Sequence, residues 1–285
     1  FDYAGIEDYE GDESWGENKI LLSKIEIKDN DYGLAIYSDK SIYGIEKSSI
    51  YDNKLFGIES YSSLNYDFSG IWWGDKTGPY NELFNGEGLG NKVTDNIVFE
   101  PFLTAPPSDN IPIIIIPGIT GSYLYKDYDD KEEIWPNLIK MIVPLDDNYL
   151  SNLALDTEGK ENINFPIQVG DIIRNAKLDT LLIKKESHVF DYFINYFLEN
   201  GYTEDVDLFV FPYDWRFGNT DTALLLNRKI NRIMLDTGAE KVDIVSHSMG
   251  GIVAKTLIKD YGSEKINKIV FLGTPHLGAP KGAKT

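Results

Sequence analysis

Ser248 stands in the stretch Val242-Asp243-Ile244-Val245-Ser246-His247-Ser248-Met249-Gly250-Gly251-Ile252-Val253-Ala254. An apolar alternating run leads in, small residues crowd the middle, and a helical pattern leads out. That is how a strand–turn–helix nucleophile elbow reads. The sharp turn holds the nucleophile in a strained backbone conformation, so residues two before and two after it must be small. Ser246 and Gly250 occupy those places, with Ser where Gly is usual. The same residues also suit a serine that only caps a helix. The strand before and the helix after favour the nucleophile.

A serine hydroxyl attacks a carbonyl only when a neighbouring base takes its proton. The tetrahedral intermediate carries an oxyanion that wants two backbone N–H donors. One expected donor is Met249, the residue after the nucleophile. The other is expected in the loop Pro117-Gly118-Ile119-Thr120-Gly121-Ser122, which follows an unbroken β-branched run at 111–116. Ile119 is the chosen donor, because Gly118 lets the backbone come close. A plain turn is the other use of Pro117-Gly118.

Four strands are expected to position these groups, at 111–116, 207–211, 242–245 and 268–272. Helical patterns lie at 189–199, 222–235 and 251–260. Alternating strands and helices argue for a parallel sheet covered on both faces. Sites in such sheets lie at the carboxyl ends of the strands. The loops beginning at Pro117, Pro212, Ser248 and Gly273 then share one rim.

Residues 1–104 read differently. Ile27-Lys28-Asp29-Asn30 is echoed by Ile50-Tyr51-Asp52-Asn53, with the asparagines 23 residues apart, and Gly33-Leu34 by Gly57-Ile58. Gly5-Ile6 is an earlier echo. Short β-rich runs with Asn and Gly corners at such a period suggest a parallel β-helix; an antiparallel β-domain is the alternative. Trp72-Trp73-Gly74-Asp75-Lys76-Thr77-Gly78-Pro79-Tyr80 and the run from Gly86 to Phe99 resemble the closing coil of right-handed β-helix repeat proteins, over about residues 20–103. That resemblance implies a stack whose earlier coils precede Phe1. Its Trp and Tyr residues would cap the core or line a groove for polysaccharide. Residues 105–110, with Pro106-Pro107, read as a linker, and 111–285 as the second domain.

The chain has 285 residues, 42% of them hydrophobic, so two packed domains are expected rather than a disordered tail. A net charge of −19 repels nucleic acid and gives no pull toward anionic membranes. With no Cys and only His188, His247 and His276, no metal-ligand spacing appears, and neither a metal nor a cofactor is expected. No apolar run is long enough for a transmembrane segment. An extracellular or cell-surface location is expected.

The second domain resembles the lecithin–cholesterol and phospholipid–diacylglycerol acyltransferases and related phospholipases. The matching pieces are Ile116 to Ser122, Trp135-Pro136, Leu155-Asp156, Gly201-Tyr202, Phe211-Pro212-Tyr213-Asp214-Trp215-Arg216, Ser246 to Gly251, and Gly273-Thr274-Pro275-His276-Leu277-Gly278. The resemblance implies an α/β-hydrolase fold. It makes Ser248 the acyl-accepting nucleophile, with Ile119 and Met249 in the oxyanion hole, and Asp214 and Arg216 a structural pair under the rim. It also implies a lipid-facing insertion at about 123–180, carrying Ile134, Trp135, Leu138, Ile139, Met141, Ile142 and Val143; for any one of these residues a small buried core is the favoured alternative. The expected activity is a serine-dependent lipid ester hydrolase or O-acyltransferase. A cell-surface adhesin or carbohydrate-binding protein, or an esterase acting on acylated polysaccharide, are the alternatives.

In this fold the base His and its carboxylate follow the nucleophile. After Ser248 the only His is His276, too early for the base. Asp260 and Glu264 lie away from the rim, and 271–285 holds no carboxylate. His247 should point away from the nucleophile, and Asp243 sits inside the strand. The acid and base are therefore expected beyond residue 285, the sheet is expected to lack its C-terminal strands, and negligible turnover is expected of this span.

Overall fold

The computed structural model describes residues 4–8, 18–39, 41–126, 132–137, 148–161, 165–179, 184–188 and 190–278. The chain divides into two compact units, Phe1–Asn110 with Arg232–Glu240, and Ile111–Asn231 with Lys241–Thr285.

The first unit carries β1 (Ala4–Asp8), β2 (Asn18–Ser23), β3 (Glu26–Ile27), β4 (Tyr32–Ile36), β5 (Ser41–Glu46), β6 (Ser49–Ile50), β7 (Phe56–Ser60), β8 (Tyr66–Asp67), β9 (Pro79–Tyr80), β10 (Gly90–Lys92) and β11 (Ile97–Val98). They pair as β1-β4-β7, β2-β5, β3-β6, β8-β11 and β9-β10, every pair parallel. The antiparallel alternative therefore falls. Asn18 faces Ser41 and Glu26 faces Ser49, in each case 23 residues on. Like residues thus stack on like: Ile27 on Ile50, Leu34 on Ile58. These four join Ile36, Phe68, Ile71 and Trp73 in one buried cluster. Trp73 is wholly buried, so it serves the core rather than a groove.

The asparagine corners form a ladder. Asn30 Nδ2 donates to Asn53 Oδ1 at 3.3 Å, and Asn53 Nδ2 donates to Asn91 Oδ1 at 2.9 Å. Asn53 is buried, and its amide also donates to the Ile27 and Tyr51 carbonyls. A buried polar side chain is tolerated here because its hydrogen-bonding groups are matched.

The second unit begins with β12 (Ile113–Ile116). Next come β13 (Ser122–Lys126), β14 (Glu132–Trp135), α1 (Asn148–Ser151), β15 (Ile167–Ile172), β16 (Asn175–Asp179) and β17 (Lys184–His188). α2 (Asp191–Glu199), β18 (Leu208–Val210), α3 (Asn219–Thr237), β19 (Val242–His247), α4 (Met249–Tyr261) and β20 (Ile266–Leu272) complete it, except that α3 from Arg232 onward groups with the first unit. The main sheet has the order β18-β12-β19-β20, all parallel. The isoleucines of β12 are all buried, as a central parallel strand requires. On one face Ile113, Ile115 and Val245 pack against Phe190 and Ile194 of the α2 segment. β20 contrasts with them: Val270, Phe271 and Leu272 are 48%, 39% and 39% exposed.

Between β12 and α2 the chain builds an antiparallel sheet, β14-β13-β15, and an antiparallel β16-β17 pair. Leu124, Ile134 and Ile167 form a small core with Trp135 and Trp215 packed against it. Of the two readings of Ile134 and Trp135, the small core is the one they take here. Leu138, Ile139, Met141, Ile142 and Val143 lie outside the described residues.

Candidate active site

Ser248 lies between β19 and α4 with φ 50 and ψ −120. A non-glycine residue held there costs about 1–3 kcal/mol, so the surroundings must impose it. The Ser248 N–H donates to the Leu272 carbonyl of β20 at 2.8 Å, and its own carbonyl accepts from Gly251 N–H at 3.1 Å. α4 starts at Met249, two residues earlier than the sequence pattern suggested.

The small flanking residues have identifiable reasons. A Cβ on Gly250 would lie 2.4 Å from the Pro117 oxygen and 2.8 Å from the Ile116 oxygen. The start of α4 therefore rests directly on the end of β12. One on Gly251 would lie 1.9 Å from Thr274 Oγ1. Ser246 is buried, and its hydroxyl donates to the Val270 carbonyl at 3.1 Å, so a Ser serves at this place without an orphaned polar atom.

The loop after β12 comes to the same point. A Cβ on Gly118 would stand 2.9 Å from Ser248 Cβ and 3.0 Å from His247 Nδ1. Gly121 N–H donates to the Gly118 carbonyl at 3.1 Å, closing a turn in which Thr120 has φ 62. Ile119 is 53% exposed in that turn. Thr120 donates through Oγ1 to the Ile119 carbonyl, and its own carbonyl accepts from Trp135 Nε1 at 2.9 Å. Met249, the other expected donor, is half-buried at the first position of α4. Ser248, Gly118-Ile119 and Met249 are thus neighbours.

The loop after β18 supports this arrangement from below. Tyr213 is buried; its N–H donates to Ser122 Oγ at 3.1 Å and its hydroxyl to the Pro117 carbonyl at 3.0 Å. Burial pushes the Tyr213 phenol well above its ordinary pKa, so it remains a donor. Arg216 donates to both Asp214 oxygens at 2.6 to 3.2 Å and to Glu161 Oε1 at 3.0 Å. The Arg216 side chain is 4% exposed. Asp214 and Arg216 pair as expected, but Glu161, 55 residues before Arg216, was not foreseen. Its Oε1 also accepts from Ile167 N–H at 2.7 Å, which ties the inserted sheet to the loop after β18.

The remaining candidates lie apart. Asp243 accepts from Asn267 Nδ2 at 2.8 Å. His276 packs its ring against Phe271, centroids 4.8 Å apart. Among the described residues no side chain hydrogen-bonds to Ser248 Oγ, and no group of His, Asp and Glu could hold a metal ion. Tyr213, Ser122 and Thr274 stood in the quoted motifs without a role of their own, and Phe190 was not singled out. Each acts through a contact with a separate stretch of chain, which no local pattern announces.

Comparison with known proteins agrees with this geometry. The chain is 28% identical over 199 residues to phospholipase A(1) LCAT3 of Arabidopsis thaliana, covering 61% of this chain and 43% of that protein. It is 27% identical over 188 residues to lecithin-cholesterol acyltransferase-like 4 of the same plant, covering 59% and 35%. It is 24% identical over 214 residues to the phosphatidylcholine-sterol acyltransferase of Gallus gallus, covering 65% and 52%. The chain thus spans about half or less of the length of these relatives. The lecithin:cholesterol acyltransferase family profile matches residues 131–285, more than half of the chain, and the protein belongs to that family of α/β-hydrolases.

Proposed function

We propose that the protein is a serine-dependent lipid ester hydrolase or O-acyltransferase, with Ser248 as the residue that carries the acyl group. Ser248 Oγ attacks the ester carbonyl, the alcohol leaves, and water or a second alcohol takes the acyl group from the serine. The Ile119 and Met249 amides hold the oxyanion. No hydrogen bond among the described residues takes up either amide, which supports that role. The base and its orienting carboxylate are assigned outside the described residues.

The observation that carries this reading is the backbone of Ser248 at the end of β19, with Gly118 close enough that a methyl group would touch its Cβ. The names of the relatives, a phospholipase A(1) and acyltransferases, support a glycerophospholipid ester as substrate. Incubation of the full-length protein with a fluorophosphonate probe and peptide mapping should find the adduct on Ser248. Its release of fatty acid from phosphatidylcholine vesicles should vanish in Ser248→Ala. A wild-type protein that is never labelled at Ser248 while it cleaves such vesicles overturns the assignment.

The first unit we read as a right-handed parallel β-helix forming its own domain, joined by 105–110 to the hydrolase at 111–285. The uniformly parallel strand pairs, the 23-residue offset and the asparagine ladder support this. An experimental structure in which β1, β4 and β7 do not stack in parallel overturns it.

A further inference from the structure

We infer that His247 is a positioning residue, whose imidazole braces the Gly118-Ile119 loop at its working distance from Ser248. The inference rests on the reading of Ser248 as nucleophile and Ile119 as oxyanion donor.

Side chains alternate along a strand, so Val245 and His247 project from the same face of β19. Val245 packs in the core that contains Phe190, and His247 stands one step further along the same row, at the rim. The His247 and Phe190 rings meet in a T-shaped arrangement with centroids 6.0 Å apart. On another side, a Cβ on Gly118 would be only 3.0 Å from His247 Nδ1. The imidazole, itself exposed, therefore stands against Phe190 and within a methyl group's width of the loop after β12.

That loop is held at two adjacent points by different means. Tyr213 draws on Pro117 through a hydrogen bond of 3.0 Å, and the His247 ring limits how far Gly118 can shift toward it. Ile119 follows immediately and is otherwise exposed. A donor aimed at developing charge works only when its placement is fixed before the reaction. Without the ring, the Gly118 backbone has room to sag toward Phe190, and the Ile119 amide moves with it. A hydrogen-bonding role of the imidazole is not required: the brace is a matter of volume.

Three variants test this. His247→Ala removes the ring, His247→Phe keeps a ring without nitrogens, and His247→Asn keeps a polar atom near Nδ1 but little bulk. Amide exchange of the 117–121 peptide should rise about tenfold in His247→Ala, as expected when a local contact is released. It should stay within about twofold of wild type in His247→Phe. The rate of fluorophosphonate labelling at Ser248, and kcat for p-nitrophenyl butyrate, should fall about tenfold in His247→Ala with KM unchanged, since a misplaced donor costs transition-state stabilisation. His247→Phe should restore both, and His247→Asn should resemble His247→Ala. Unchanged exchange in His247→Ala, or a His247→Phe variant as impaired as His247→Ala, overturns the brace. A wild-type protein unlabelled at Ser248 would defeat the nucleophile reading instead, while the exchange measurement still decides whether His247 holds the loop.

Discussion

Gly118 and Ser248 come so close that a methyl group on the glycine would lie 2.9 Å from the serine Cβ. Gly118 does not have a positive φ, so its role is space rather than backbone freedom. Gly118→Ala should leave the protein folded, at a cost of about 1–3 kcal/mol typical of a crowded contact. It should slow fluorophosphonate labelling of Ser248 by about tenfold or more, because the displaced loop carries the proposed oxyanion donor. Labelling at the wild-type rate would mean that the loop does not matter to the serine.

Thr274 Oγ1 is buried and has no hydrogen-bond partner among the described residues, and it lies against the backbone of α4 at Gly251. Valine has the same shape without the hydroxyl. Thr274→Val should therefore raise stability by about 1 kcal/mol, the cost of burying an unmatched polar atom. Urea denaturation measures it directly, and a loss of stability would show that the hydroxyl has a partner after all.

Arg216 faces two carboxylates, Asp214 and Glu161, with its own side chain buried. Arg216→Met strands both acids and should cost about 3–5 kcal/mol at neutral pH. Arg216→Lys keeps the charge but loses the forked geometry, so it should fall between wild type and Arg216→Met. Adding Asp214→Asn to Arg216→Met should recover part of the loss, since one stranded charge is removed. An undiminished loss in the double variant would argue against an electrostatic origin.

Burial raises the carboxyl pKa of Glu133 in β14 above its ordinary value. The unfolded chain ionises more readily than the folded one, so Glu133 penalises folding once the pH has risen through its folded pKa. The penalty is absent below the unfolded value. Glu133→Gln should raise the melting temperature at pH 7 and leave it unchanged well below the carboxylate range. The reverse order would require a cationic partner for the carboxylate.

The serine elbow was legible because its constraints are local: an alternating strand, Ser246 and Gly250 as small neighbours, and a helix. The buried strands were legible for the same reason, since Ile113–Ile116 is a run that only a central parallel strand needs. Asn30 and Asn53 revealed the stacking in the first unit through a regular spacing. Asn91, the third rung, escaped because 38 residues separate it from Asn53. The extra chain includes the Asn81–Asn85 turn, which breaks the period without breaking the stack. Glu161, Phe190 and Trp135 were unreadable as partners of the site because nothing in a 55-residue separation fixes where two chains meet. Trp135 and Ile134 could be read two ways. Their apolar character is equally required by a small core and by a lipid surface, and the core of Leu124 and Ile167 claimed them.

Among the described residues nothing pairs with the outer edge of β20, although Val270, Phe271 and Leu272 are apolar and partly open. Rows of free amides and carbonyls beside such side chains recruit any extended polypeptide that drifts past. A lysine in place of Val270 would discourage such docking.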